Sequence, residues 1–217
     1  RYLVQGLFAD DERKESARER IQSQGIYGPI TVKSWQEDGL PYVDNMVNLV
    51  IAEDLSSVAL DEVFRVLAPY GVVLSKTEIE VKGSSHVDGW YKAVKPWPEN
   101  IDQWTHWLHD ASGNAVAQDS VVGQPRHLQW AAGPRWSRHH NTPPSLNAAV
   151  SARGRLFYIA DEAPPGIGKS MPDKYALIAR DAFNGVPLWK VPIRDWGWEA
   201  WVQSMYANFL LGRHFHP

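Results

Sequence analysis

Tryptophan is divided very unevenly along this chain: of eleven, only Trp35 lies before residue 90, and the other ten follow from Trp90 onward. Charge shifts at the same place. Up to Asp88 there are 15 acids against 9 bases, and the remainder holds 10 acids against 13 bases, so a segment of charge −6 is followed by one of +3. Two stretches so differently composed are expected to be two modules, with a boundary between Trp90 and Asn100. Lys95-Pro96-Trp97-Pro98 reads as a linker, because each proline fixes its own φ and pushes the preceding residue toward extended conformations. The expected organisation is an α/β module over residues 1–89, a Trp/His-rich connector over 90–127 and an all-β module over 128–217.

The totals exclude some function classes. A formal net charge of −3 with no concentrated basic face argues against nucleic-acid binding and membrane-surface binding. Zero cysteines exclude disulfides, thiolate metal sites and a cysteine nucleophile. No run approaches the roughly 18 apolar residues of a membrane span, and residues 1–20 show no signal-peptide pattern.

In the first module, Tyr2-Leu3-Val4-Gln5-Gly6-Leu7 is an apolar run that begins almost at residue 1, which leads us to expect preceding chain. Asp10 or Asp11 can cap a helix over residues 12–24, with Gly25 just past its end. Residues 30–33 and the apolar run Val47-Asn48-Leu49-Val50-Ile51-Ala52 read as strands, the latter of the buried parallel kind. Leu60, Val63, Phe64 and Leu67 have helical spacing, with Ser56 or Ser57 as cap and Pro69 as stop; Gly71 then opens another strand. This alternation predicts an open, mostly parallel α/β sheet, whose ligands would sit beyond the carboxyl ends of its strands.

Three runs carry a resemblance: Leu40-Pro41-Tyr42-Val43-Asp44-Asn45, Asn48-Leu49-Val50-Ile51-Ala52, and Glu62-Val63-Phe64-Arg65-Val66-Leu67-Ala68-Pro69-Tyr70-Gly71. Together, over residues 2–75, they resemble the second half of class I S-adenosylmethionine-dependent methyltransferases, and imply a partial Rossmann-like sheet and S-adenosylmethionine as the family's cofactor. The departures are specific. The glycine-rich turn that holds the methionine end of that cofactor is absent. Phe8 stands where the resemblance places a ribose-binding acid, and a phenyl ring accepts no such hydrogen bond. Asp10, two residues on, reads as a helix cap or, alternatively, as the substitute acid. Glu53 and Asp54, directly after a strand, are candidates for cofactor or substrate contact, with Asp–Glu pairing suited to a general base and its orienter; the other reading is a solvated loop. Tyr70 replaces a glycine of the family's exit turn, at a conformational cost if positive φ is required.

Beyond Leu128 the chain turns to short extended runs broken by Gly, Pro and Asn. Residues 154–160 and 175–180 read as paired strands, with Asp181-Ala182-Phe183-Asn184-Gly185 as a tight turn before Val186-Pro187-Leu188-Trp189-Lys190. Residues 154–192 resemble one blade of the pyrroloquinoline-quinone-type β-propellers. One blade cannot enclose a quinone, so the whole chain is expected to be an interior piece of a methyltransferase-like/propeller fusion of the kind found in large bacterial propeller-repeat proteins, which are usually exported. The expected partner is the remainder of the same polypeptide, or a protein covering the propeller edge.

His106 and His109 stand at i, i+3, where a helical turn would put both on one face; with Asp110, His139 or His140 they could share a metal, or they could pack a joint together with the tryptophans. Three functions follow: a binding or scaffolding module with a degenerate cofactor site, a methyltransferase completed by upstream residues, or a quinone-dependent dehydrogenase completed by further blades.

Overall fold

The computed structural model describes residues 2–36, 39–121, 123–124, 128–133, 146–164 and 173–197. The chain divides into two units, Arg1–Trp97 and Pro98–Pro217.

In the first unit, β1 (Val4–Phe8), helix α1 (Asp11–Ser23) and β2 (Ile30–Ser34) form a strand-helix-strand unit whose strands pair in parallel. Asp10 caps α1, its Oδ1 accepting the Arg13 N–H at 3.0 Å. The helix buries no residue, so polar ties fasten it: the Lys14 ammonium donates to Asp11 Oδ1 at 2.6 Å and to Ser34 Oγ at 2.7 Å, joining its first turn to the end of β2.

A second sheet holds β3 (Val47–Ala52), β4 (Leu67–Ser75), β5 (Ser85–Val87) and β6 (Trp90–Val94) in the order β3-β4-β6-β5. Only β3 and β4 are parallel; β6 runs antiparallel to both its neighbours. The single, mostly parallel sheet expected from the alternation is therefore two sheets, one of them mixed. Asp88 and Gly89, with φ of 50° and 78°, make a two-residue turn between β5 and β6, so the stretch read as the start of the connector opens with a strand.

Helix α2 (Leu60–Val66) packs Val63 onto Leu67, Val73, Ile79 and Ala93, the unit's buried core. It differs from expectation at both ends. Its N-cap is Ala59, whose methyl side chain makes no cap bond, while Ser56 is bound to Asp54. At the other end Leu67 turns to ψ 132° and begins β4, so Pro69 lies within a strand. Two α2-end carbonyls, of Phe64 and Leu67, are instead taken by the Lys95 ammonium at 2.6 and 2.7 Å.

The second unit contains a four-stranded antiparallel meander, β7 (Leu146–Ala152), β8 (Arg155–Asp161), β9 (Tyr175–Asp181) and β10 (Pro187–Pro192), in the order β10-β9-β8-β7. Arg153 and Gly154, both at positive φ, close the β7–β8 hairpin in two residues. The turn at residues 181–186 is longer than a two-residue Asn-Gly hairpin, and of that pair only Gly185 has positive φ. Asp181 Oδ1 closes it by accepting the N–H groups of Phe183 and Asn184. Trp130 lies flat over Gly185, where a Cβ would come within 2.5 Å of its ring. Proline at each end of β10 suits an edge strand, which needs fewer ladder donors.

Tyr70-Gly71 lies within β4, where its pairing with β3 shifts register. Tyr70 sits at φ 64°, a strain of roughly 1–2 kcal/mol, offset by stacking on Trp97 at 5.5 Å between ring centroids, worth about 0.5–1.5 kcal/mol. Tyr70→Gly is therefore expected to be nearly neutral in chemical denaturation, whereas Tyr70→Ala keeps the strain, loses the stack and is the less stable of the two. At Gly71 a Cβ would meet the Ala68 carbonyl at 2.7 Å, so Gly71→Ala should cost about 1–3 kcal/mol by the same measurement.

Candidate functional site

The carboxyl ends of β1, β2 and β3 present Phe8, Ser34 and Ala52. The cleft on this unit, about 560 Å³, is lined by Ser34, Trp35 and Gln36 on one side and by Gly39, Leu40 and Pro41 on the other, with Glu62 and Arg65 against it. Its walls hold each other: the Trp35 indole N–H donates to the Gly39 carbonyl at 2.8 Å.

Arg65 organises the floor. Its Nε and one terminal nitrogen clamp both Glu62 oxygens at 2.7 Å, the same terminal nitrogen reaches the Leu40 carbonyl at 3.2 Å, and the other donates to Asp44 Oδ1 at 2.7 Å. Glu62 Oε1 in turn accepts the Leu40 N–H at 2.7 Å. The bond from Arg65, with that from Leu40, lowers the Glu62 carboxyl to about 2. Behind this clasp, Asn45 adopts φ 59° and donates its N–H to the Arg65 carbonyl, while its side-chain oxygen takes the Lys95 ammonium at 2.7 Å. Lys95 is thus saturated by three acceptors, and burial depresses its pKa. Leu40, Asp44, Asn45, Glu62 and Arg65 form one structural fastening between the loop before β3 and helix α2.

The carboxylates singled out in the sequence lie apart from this fastening. Asp10 caps α1. Glu53 is exposed and pairs with Lys76 at 3.2 Å, and that ammonium also lies over the Trp90 ring, 5.4 Å from its centroid. Asp54 accepts the Ser56 N–H and hydroxyl at 2.9 and 2.5 Å and the Thr77 hydroxyl at 3.1 Å. Those bonds, led by the Ser56 hydroxyl, hold its carboxyl below the ordinary range, which makes it a poorer proton acceptor. Among the described residues no hydrogen bond or ion pair joins Asp10, Glu53 and Asp54 to one another.

A second polar cluster lies in the other unit. His109 is buried, its Nε2 2.6 Å from Asp102 Oδ2 and its Nδ1 3.4 Å from Asp110 Oδ2. Asp102 also accepts the N–H groups of Gln118 and Gln103, and these bonds, ahead of the one to His109, lower its pKa. His106 and His109 do not share a helical turn: His109 takes φ 73°, and the two residues face each other as an isolated bridge. The reason is the inward pull of the imidazole to Asp102, with Trp104 edge-on to the ring at 5.2 Å. His106 stays exposed and bonds Thr105. His139 and His140 lie outside the described residues, and no cluster of three metal-ligating side chains occurs among the described ones. The loop held by His109 braces the β7–β8 hairpin through Gln103 to Arg153 N–H and Ser151 to Trp104.

Lys95 escaped sequence reasoning because its partners Asn45, Phe64 and Leu67 are distant in the chain, and Asp102 because no motif marks its bonds to Gln103, His109 and Gln118. The β5–β6 hairpin did not have to escape: Asp88-Gly89 between Val87 and Trp90 is its signal.

No protein-family model and no curated protein matches the chain. Among solved structures it is similar to the [4+2]-cyclase SpnF, at 20% identity over 36% of this chain and 32% of that one, with a TM-score of 0.32. A candidate sarcosine dimethylglycine methyltransferase from Galdieria sulphuraria matches at 24% identity over 34% of this chain and 30% of that one, with a TM-score of 0.30. The YcgJ protein from Bacillus subtilis matches at 24% identity over 34% of this chain and 33% of that one, with the same TM-score of 0.30. The chain spans about a third of the length of each of these structures.

Two outcomes are expected from the ionic clusters. Because the Glu62 carboxyl is depressed in the folded chain, its contribution to stability is complete above its ordinary value of 4.5 and is lost as pH falls toward about 2. Denaturation midpoints measured across that window should fall less steeply for Glu62→Gln than for the parent. His109→Ala should release the loop around Asp102, read as faster limited proteolysis between residues 102 and 120 with the β7–β10 sheet retained.

Proposed function

We propose that the first unit is a methyltransferase-like module serving in binding or scaffolding, with a degenerate cofactor site. The observation that carries this reading is the commitment of its signature residues to structure: Arg65, Glu62, Asp44 and Leu40 bind one another. Residues that a transferase would aim at ligand are either unsuitable or engaged. Phe8 accepts no hydrogen bond from a ribose diol, and Asp10 already spends an oxygen on the α1 cap. The residues present therefore do not fit S-adenosylmethionine in the manner the family resemblance implies. Asp54, held ionised by three donors, is a weak candidate for general base.

The four-stranded antiparallel meander of the second unit supports reading it as a propeller-type blade, a class of module suited to binding. Its edge strand β10 leaves Leu188, Trp189 and Val191 exposed, and these would lie against a neighbouring sheet or partner.

Titration calorimetry of the 217-residue chain with S-adenosylmethionine tests the first unit's role. No saturable heat is expected; a dissociation constant in the micromolar range, on the order of −8 kcal/mol of binding free energy, would show that the site is intact and reject the scaffolding reading.

A further inference from the structure

Where β10 ends, the chain bends back on the start of β9. Ile193 still donates its N–H to the Tyr175 carbonyl at 2.9 Å, and then Asp195 takes φ 55° and Gly197 φ 114°. The first is a costly conformation for a residue with a Cβ. At the second a Cβ would lie 2.7 Å from the Tyr175 ring and collide with the Asp173 carboxylate, so the position requires glycine. Between them stands Trp196. Its ring leans on Tyr175, with centroids 5.3 Å apart and planes at 48°, yet it is 44% exposed where Tyr175 is 6% exposed. Backbone strain that the surroundings hold in place concentrates at ligand clamps and active sites, and here it sets a large aromatic ring in the wall of a cleft of about 490 Å³.

The rest of the lining carries both signs of charge without segregating them. Asp173 and Lys174 are adjacent, as are Arg194 and Asp195, and Lys190 is paired with Glu162 at 2.7 Å. The side chains of Lys174, Arg194 and Asp195 make no hydrogen bond or ion pair among the described residues. Carboxylates only accept hydrogen bonds, and ammonium and guanidinium groups only donate them. An anion, a cation or a zwitterion would meet a repelling group beside each attracting one, and an apolar ligand would leave these charges dehydrated and unpaired. A hydroxyl donates to the one kind and accepts from the other. Beside an exposed aromatic ring, that chemistry suits a molecule with an apolar face edged by hydroxyls. We propose that this cleft binds a neutral oligosaccharide, with Trp196 against the C–H face of one pyranose ring and the charged rim bonding its hydroxyls. Its volume lies within the roughly 300–1,000 Å³ of small-molecule sites. The inference concerns side chains at one end of β9 and β10 and does not depend on reading the sheet as a propeller-type blade.

The test titrates the whole chain by calorimetry with cellohexaose, xylohexaose and mannohexaose as neutral probes, and with tetragalacturonate and trialanine as anionic and zwitterionic ones. At least one neutral oligosaccharide should bind saturably, and at least about tenfold more tightly than either charged probe. Trp196→Ala should weaken that binding at least about tenfold with far-UV circular dichroism unchanged, and Trp196→Phe, which keeps a ring, should recover most of it. Trp189→Ala removes an exposed tryptophan of β10 that lies outside the cleft and should leave the affinity unchanged. If Trp196→Ala unfolds the chain, exposed Arg194 supplies the second variant: Arg194→Ala should weaken the same titration by about threefold or more, and an unchanged affinity overturns the proposal. It is also overturned if no neutral probe binds, if tetragalacturonate or trialanine binds as tightly, if Trp196→Phe restores nothing, or if Trp189→Ala removes binding as fully as Trp196→Ala.

Discussion

Arg65 joins stretches of chain that no backbone ladder connects, and the first unit depends on that junction. Helix α2, with seven residues, is well below the length at which a helix persists alone in water. The guanidinium fork holds Glu62 within the helix and Asp44 and the Leu40 carbonyl in the preceding loop, a planar geometry that a lysine would not reproduce. Lys95 completes the arrangement from behind, taking carbonyls at the C-terminal end of α2, where the helix dipole favours a cation. With loop and helix locked together, Val63 and Leu67 can sit in the core against Val73.

The three runs that carry the family resemblance are the ones that build this junction. The residues that match best hold the backbone. The residues that would touch a ligand lie on loops, and here those loops satisfy themselves: Asp10 with a helix amide, Asp54 with Ser56 and Thr77, Glu53 with Lys76. Stability rests on the junction and the core, whereas function in a fold generally depends on a few loop side chains.

The same economy of short polar side chains organises the second unit. Asp161 and Asp181, at the ends of consecutive strands, each turn an oxygen onto two backbone N–H groups and close the loop that follows. Arg180 ties Tyr158 to the Gly185 carbonyl, and Trp130 covers that glycine and bonds the Ala182 carbonyl. Buried His109 does for the loop after Pro98 what the strand-end aspartates do for the turns, so extended chain with few regular elements is held by side-chain bonds.

Local signals sufficed for much of this. The α1 cap at Asp10, the strands at β2 and β3, the apolar stripe of α2 and the contrast between the two segments are all written in adjacent residues, because capping, alternation and helical spacing act over a few positions. The Asp88-Gly89 hairpin was equally local but was masked by the neighbouring prolines. What tertiary structure alone decided is where polar groups find distant partners: the Lys95 ammonium with Asn45, the Arg65 guanidinium with Asp44, the Trp104 N–H with the Ser151 hydroxyl. Those pairings join residues tens of positions apart, and Lys95 also receives the Phe64 and Leu67 carbonyls where α2 gives way to β4. Sequence spacing carries no record of such distances, since they exist only once the chain has closed upon itself.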